Sequence, residues 1–133
     1  MKNIKRITFV ACVVIGICIA LFLVTANGEL AGSYYRGDGK GYNIYLDLMP
    51  DGTYKAEWQG CLGLYGTARG VWKHENKKIV FSPTEEKDMM KGHLRELNIV
   101  RGYWRPVLVP DLGDDYYRKY GANKYSAFHK RRK

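Results

Sequence analysis

Residues 42–72 constrain the fold more than any other part of the chain. In an extended backbone Tyr42, Ile44, Leu46 and Leu48 point to one side, and Asn43, Tyr45, Asp47 and Met49 to the other. The pattern breaks at Pro50-Asp51-Gly52 and resumes. Tyr54, Ala56 and Trp58 then share one face, and Lys55, Glu57 and Gln59 the opposite one. Period two with one apolar face is the mark of a half-buried strand. Proline pre-sets the first turn position and glycine supplies the left-handed one, which suits a three-residue hairpin loop with a bulge. With Met49 and Thr53 flanking the loop, Leu48 faces Tyr54, Leu46 faces Ala56 and Ile44 faces Trp58. On the outer face Asp47 then meets Lys55, an opposite-charge pair. A slip of one residue would bury Lys55 and Glu57, so the register is firmly specified.

A third alternating segment, residues 64–73, carries Leu64, Gly66, Ala68, Gly70 and Trp72 on one face. Tiny residues beside large ones let a sheet curl and fill a tapering interior. Glycine in a flat strand is only a cost, so this composition favours curvature. The expected fold is mainly β: an antiparallel meander curling into a small barrel or sandwich.

The chain of 133 residues is one domain's worth, large enough to bury a stable core. Its net charge is +9. Lys2, Lys5 and Arg6 open the chain, and Lys130, Arg131, Arg132 and Lys133 close it; without those seven the net charge of +9 falls to +2. The body is therefore nearly balanced, and the basic character does not describe a nucleic-acid face. Cys12 and Cys18 fall in an apolar run, leaving Cys61 alone in the rest, so no disulfide framework is expected.

Residues 7–24 are uncharged and follow the basic start. Two readings stand side by side. One is a secretory signal cut after Ala26, at Val24-Thr25-Ala26. The other is a retained signal anchor, since eighteen residues reach the length of a membrane span. Basic residues ahead of the span keep the N-terminus cytoplasmic. Either way residue 29 onward is expected outside the cytoplasm, as a single-pass anchored domain or a periplasmic or secreted one. The expected division is residues 1–28 as signal peptide or anchor, residues 29–128 as the β-domain, and residues 129–133 as a disordered basic tail.

The remaining segments are assigned from local signals. Residues 31–36 read as a first strand and residues 37–41 as a glycine-rich turn. Residues 74–77 read as a polar turn before a short strand at 78–82. Ser82-Pro83-Thr84-Glu85 has the look of a helix start, with a capping serine, proline next and glutamate three on; Gly92 would stop it. Residues 94–100 and 103–109 read as strands, the second at an edge or bulged because Pro106 cannot donate to a ladder. Residues 111–120 carry acids first and bases last before Gly121, the signature of a short C-terminal helix. Residues 125–128 read as a last short strand.

Candidate sites are few. Cys61, in Gly60-Cys61-Leu62-Gly63, is either a reactive or ligating thiol or a small buried apolar residue. No base or positive charge lies beside it in sequence, which favours burial. His74, His93 and His129 are scattered without metal-ligand spacing, and no cofactor is expected. Of eleven tyrosines, Tyr45 and Tyr65 fall on the face opposite the core, where a ring can stack on a sugar or a partner. Lys130, Arg131, Arg132 and Lys133 suit anionic lipid headgroups or acidic glycans.

Gly32-Ser33-Tyr34, Asp51-Gly52-Thr53-Tyr54 and Gly70-Val71-Trp72, set in a meander with a helix near the C-terminus, resemble the small lipocalin-like barrels of bacterial envelopes. The resemblance spans residues 29–109. It departs at Gly32-Ser33-Tyr34, where lipocalins proper usually carry tryptophan, and the chain is shorter than theirs. It implies an envelope-exposed barrel able to bind something apolar, and no chemistry.

The expected function is a non-enzymatic, extracytoplasmic binding or interaction domain. Its partners would be the membrane, through residues 7–24, and an apolar ligand, a glycan or an envelope protein, with no nucleic acid. A small enzyme using Cys61 is the first alternative. An inhibitor of a secreted hydrolase is the second, disfavoured because such inhibitors steer to basic enzymes with acidic surfaces.

Overall fold

A computed structural model of the chain describes residues 13–16, 27–37, 41–101, 105–110 and 127–132. Its strands are β1 (Gly32–Gly37), β2 (Asn43–Leu48), β3 (Thr53–Gln59), β4 (Tyr65–Glu75), β5 (Lys78–Asp88), β6 (Glu96–Arg101), β7 (Pro106–Pro110) and β8 (Phe128–Lys130). Each pairs antiparallel with its sequence neighbour, and β8 returns to β1, closing the barrel. The sandwich alternative is thereby excluded. A closed eight-strand barrel is compatible with the small lipocalin-like architecture.

The meander folds in the register its alternation dictates. Leu48 pairs Tyr54, Leu46 pairs Ala56, Ile44 pairs Trp58, and Asp47 meets Lys55 outside. Met49 donates its N–H to the Thr53 carbonyl at 2.8 Å, and Asp51 caps the turn by accepting from the Thr53 amide and hydroxyl. The inward side chains are buried: Leu46, Leu48, Tyr54 and Trp72 are at most 2 % exposed. Trp72 also donates its indole N–H to the Met49 carbonyl at 3.0 Å, tying β4 to the first hairpin. Ile79, Phe81, Leu97, Leu108 and Phe128 complete the core from the later strands.

Glycines on β4 let neighbours come close. A Cβ at Gly70 would strike the Ser82 carbonyl and Pro83 Cα, and one at Gly66 would lie 2.6 Å from the Met90 amide nitrogen. The β4–β5 register shifts beside Gly70, passing from Arg69–Glu85 to Gly70–Pro83 and leaving Thr84 as the extra residue. The Thr84 hydroxyl donates to the Arg69 carbonyl at 3.1 Å.

Both mouths of the barrel are stoppered. At one end residues 27–31 cross the opening and bury Leu30. The buried Tyr34 hydroxyl donates to the Leu30 carbonyl at 2.7 Å. At the other end the β5–β6 connection folds in, burying Met90 and Leu94. Glu86 latches this connection, accepting from Arg95 at 2.7 and 3.0 Å and from the Gly92 amide. The hydrogen bonds from Arg95 hold the Glu86 carboxyl below the usual carboxylate range.

Several local expectations are corrected. Ser82-Pro83-Thr84-Glu85 lies within β5 and not in a helix. Pro83 sits beyond the last β5–β6 pair, at Lys78–Val80, where its missing N–H forfeits no bond to β6. The turn after β4 is Asn76-Lys77, both at positive φ, so β4 runs through His74 to Glu75. β7 is not an edge: it pairs β6 and β8, with Pro106 as its first residue, ahead of the β8 pairing. The last described strand is Phe128–Lys130, running past the expected end at 128, with residues 125 and 126 outside the described residues, and Lys130 and Arg131 lie against the barrel instead of forming a loose tail. Among the described residues no helix is long and apolar enough to cross a membrane. Most of the leader and the expected helix at 111–120 lie outside those residues.

Burial pushes Tyr34 and Tyr54 up from 10.0 to about 12, with Glu29 adding to the first and Glu86 to the second. A raised tyrosine leaves stability intact below its unfolded value and removes it as pH climbs. The fold should therefore weaken between about pH 10 and pH 12, with circular dichroism and tyrosinate absorbance changing together. The two hydroxyls differ otherwise, because Tyr54 Oη is buried with no hydrogen-bond partner among the described residues. In urea melts Tyr34→Phe should cost about 0.5–1.5 kcal/mol, whereas Tyr54→Phe should be neutral or stabilising.

Candidate functional site: the outer wall and the cationic end

Among the described residues the inward side chains are mostly large and apolar, and the charged and polar ones lie on the outside. Odd-numbered side chains of β1–β4 face outward in rows fixed by the register. One row runs Asp47, Lys55, Arg69, Glu85. The next runs Tyr35, Tyr45, Glu57, Thr67, Lys87. Between them lies a shallow groove of about 290 Å³, lined by Tyr45, Asp47, Lys55, Glu57, Arg69 and Glu85. Glu85 accepts from Lys87 at 2.8 Å and pairs with Arg69 at 2.6 Å; the hydrogen bond from Lys87, followed by Arg69, holds its carboxyl below the usual range.

Tyr45 forms one side of this groove. Its ring lies 5.4 Å from that of Tyr35, tilted by 51°, and the Arg131 guanidinium sits 5.7 Å from its centroid. The Tyr35 hydroxyl donates to Asn43 Oδ1 at 2.7 Å, fixing that ring. Tyr65 is 47 % exposed but lies two strands away, in the row of Asn43 and Gln59. The partner of Tyr45 is thus Tyr35, which the sequence alone did not single out. The β1–β2 register pairs the two, and the glycine-rich link between those strands carries no register signal.

The second feature is one end of the barrel. Lys130 donates to the Glu29 carbonyl at 2.9 Å and lies 5.8 Å from the Tyr34 ring centroid. Burial, followed by Arg105, lowers its pKa. The Arg131 amide donates to the Ser33 carbonyl at 2.8 Å, and Arg105 Nη1 to the Arg131 carbonyl at 3.4 Å. Arg132 is exposed, and Lys133 lies outside the described residues. A cleft of about 1050 Å³ opens here, with Arg105, Lys130, Arg131 and Arg132 against Glu29 and Asp47. Arg131 and Asp47 join it to the tyrosine pair and the groove.

Cys61 belongs to neither feature. It is exposed, correcting the expectation of burial. It sits in a 3-10 turn, Cys61–Gly63, that projects from the end opposite the cations, with Leu62 at φ 61° and fully exposed. Its sulfur lies 3.7 Å from the Gly41 carbonyl oxygen. His93 lies in a turn, not on a strand, with its ring edge-on to Trp58 at 4.6 Å; burial, then Arg36, lowers its pKa. Among the described residues no three His, Cys, Asp or Glu side chains are grouped to hold a metal.

Native protein treated with a thiol reagent should label at Cys61 without denaturant, read by mass spectrometry of the peptide that contains it. Protection until unfolding would contradict the exposed turn.

Comparison with family models, with curated proteins and with solved structures finds no match for this chain.

Proposed function

We propose that the protein is a non-enzymatic binding domain, held outside the cytoplasm, that uses the outer wall around Tyr35 and Tyr45 to bind a glycan of the cell envelope. The observation that carries this reading is the tilted tyrosine pair at the edge of a polar groove. An aromatic face suits the C–H face of a sugar ring. Beside it, Asp47 and Glu57 offer acceptors to sugar hydroxyls, while Lys55, Arg69 and Arg131 offer donors. The large side chains packed inside the barrel argue against an apolar guest there, and the alternating charges of the wall suit a polar ligand better than a lipid tail. The Cys61 enzyme has less support, since its thiol stands at the end away from both clefts. The extracytoplasmic address rests on the basic start and uncharged run of residues 1–24.

Calorimetric titration with a neutral chito-oligosaccharide and an acidic oligogalacturonate tests this. Binding of at least one is expected, weakened about five- to tenfold by Tyr45→Ala, the loss of roughly one stacking contact. Tyr65→Ala should leave it unchanged. Neither sugar binding at millimolar concentration would remove the proposal.

A further inference from the structure

We infer that the cationic end of the barrel is a membrane-docking surface that rests on anionic lipid headgroups and stands the tyrosine wall upright above them. The inference shares the extracytoplasmic address of the proposed function but does not depend on a glycan.

Three parts of the chain meet at this end. Asn27 lies beside the Gly52 turn, its amide nitrogen 4.0 Å from where a Gly52 Cβ would be. Leu30, three residues on, stops the mouth. The start of β7 brings Arg105, and the end of β8 brings Lys130, Arg131 and Arg132. Lys77, at the β4–β5 turn, projects from the same end. The acids at this end are Glu29 and Asp47 in the cleft, Asp51 in the first hairpin turn, and Glu75 beside Lys77. In the cleft itself Arg105, Lys130, Arg131 and Arg132 outnumber Glu29 and Asp47, and two of the bases are held in place, because Lys130 donates to the Glu29 carbonyl and Arg105 to that of Arg131.

The spacing of the leader makes this placement consequential. The apolar run ends at Val24, and Asn27 is already part of the domain. Three residues reach at most about 10 Å when fully extended. A span formed by residues 7–24 therefore holds the cationic end within about one Debye length of the headgroup phosphates, where their attraction is little screened. The opposite end, with Cys61 and Leu62, points away from the bilayer. The strands then run roughly along the membrane normal, and the groove opens sideways.

The test uses the full chain in lipid nanodiscs, with Cys12→Ser, Cys18→Ser and Cys61→Ser. One spin label is placed by Glu75→Cys, where β4 ends at the cationic end, and a second by Leu62→Cys at the far end. A paramagnetic chelate on the headgroups reports proximity. In discs containing phosphatidylglycerol the label at 75 should relax several-fold faster than that at 62. The tether alone keeps the label at 75 the nearer of the two, but the difference should shrink several-fold in pure phosphatidylcholine, and in the triple variant Arg105→Gln, Arg131→Gln and Arg132→Gln. A charge-matched control, Lys55→Gln, Lys87→Gln and Lys91→Gln, should keep the difference. Equal relaxation of both labels in the anionic discs overturns the inference, as does a difference that the triple variant leaves undiminished. So does inorganic phosphate abolishing the difference where chloride of equal ionic strength does not, since the end would then be a phosphate site. If intact mass shows natural protein cut near Ala26, the cut protein is floated with the same lipids as vesicles. Retention on the anionic vesicles alone sustains docking, and no retention ends it. Failure to bind either sugar would leave the label ratio unchanged, so the two readings fail separately.

Discussion

The barrel depends on a close approach that only glycine permits. At Gly70 the β5 backbone comes nearer to β4 than a methyl group would allow, and at Gly66 the Met89–Met90 backbone does the same. Those two contacts bend β4 around the core and draw the β5–β6 connection over the mouth. Trp72, on the same strand, fills the volume left by the small residues and bonds back to Met49. The alternation of tiny and large side chains along one strand thus sets both the curvature and the contents of the barrel.

Burial on the inside decides what the outside can do. Tyr34, Tyr54, Trp72 and Phe128 occupy the interior, with Leu30 at one mouth and Met90 and Leu94 at the other. A wide lipocalin uses that space for a guest. Here the same strands present polar and aromatic groups on the opposite face, where the pleat that buries Leu46 leaves Tyr45 and Asp47 half-buried on the outside. Inner packing and outer wall are therefore one pattern: a register that seats Ala56 opposite Leu46 also lines up Tyr45 with Glu57 and Asp47 with Lys55.

The first hairpin was legible because every local cue agreed. Its alternation, its Pro-Asp-Gly turn and its cross-strand charges all specify one register. β5 was misread because its local chemistry argues for a different structure. Serine, proline and glutamate at 82, 83 and 85 are good helix-start residues, and the bulge opposite Gly70 that makes them a strand is a tertiary event. The tyrosine pair escaped for a related reason, since it is made by two strands whose link specifies no register. Arg105, and the bonds that fix Lys130 and Arg131, join residues far apart in the chain, beyond the reach of a window reading.

Leu30 gives the position of the leader's end a structural meaning. A peptidase acting after Ala26 would leave the stopper whole, with Asn27 still accepting the Leu30 and Ala31 amides. Trimming by four further residues would open the mouth and leave the Tyr34 hydroxyl facing no carbonyl. The packing of one leucine thus sets how far the chain can be shortened from this side before the barrel loses its stopper.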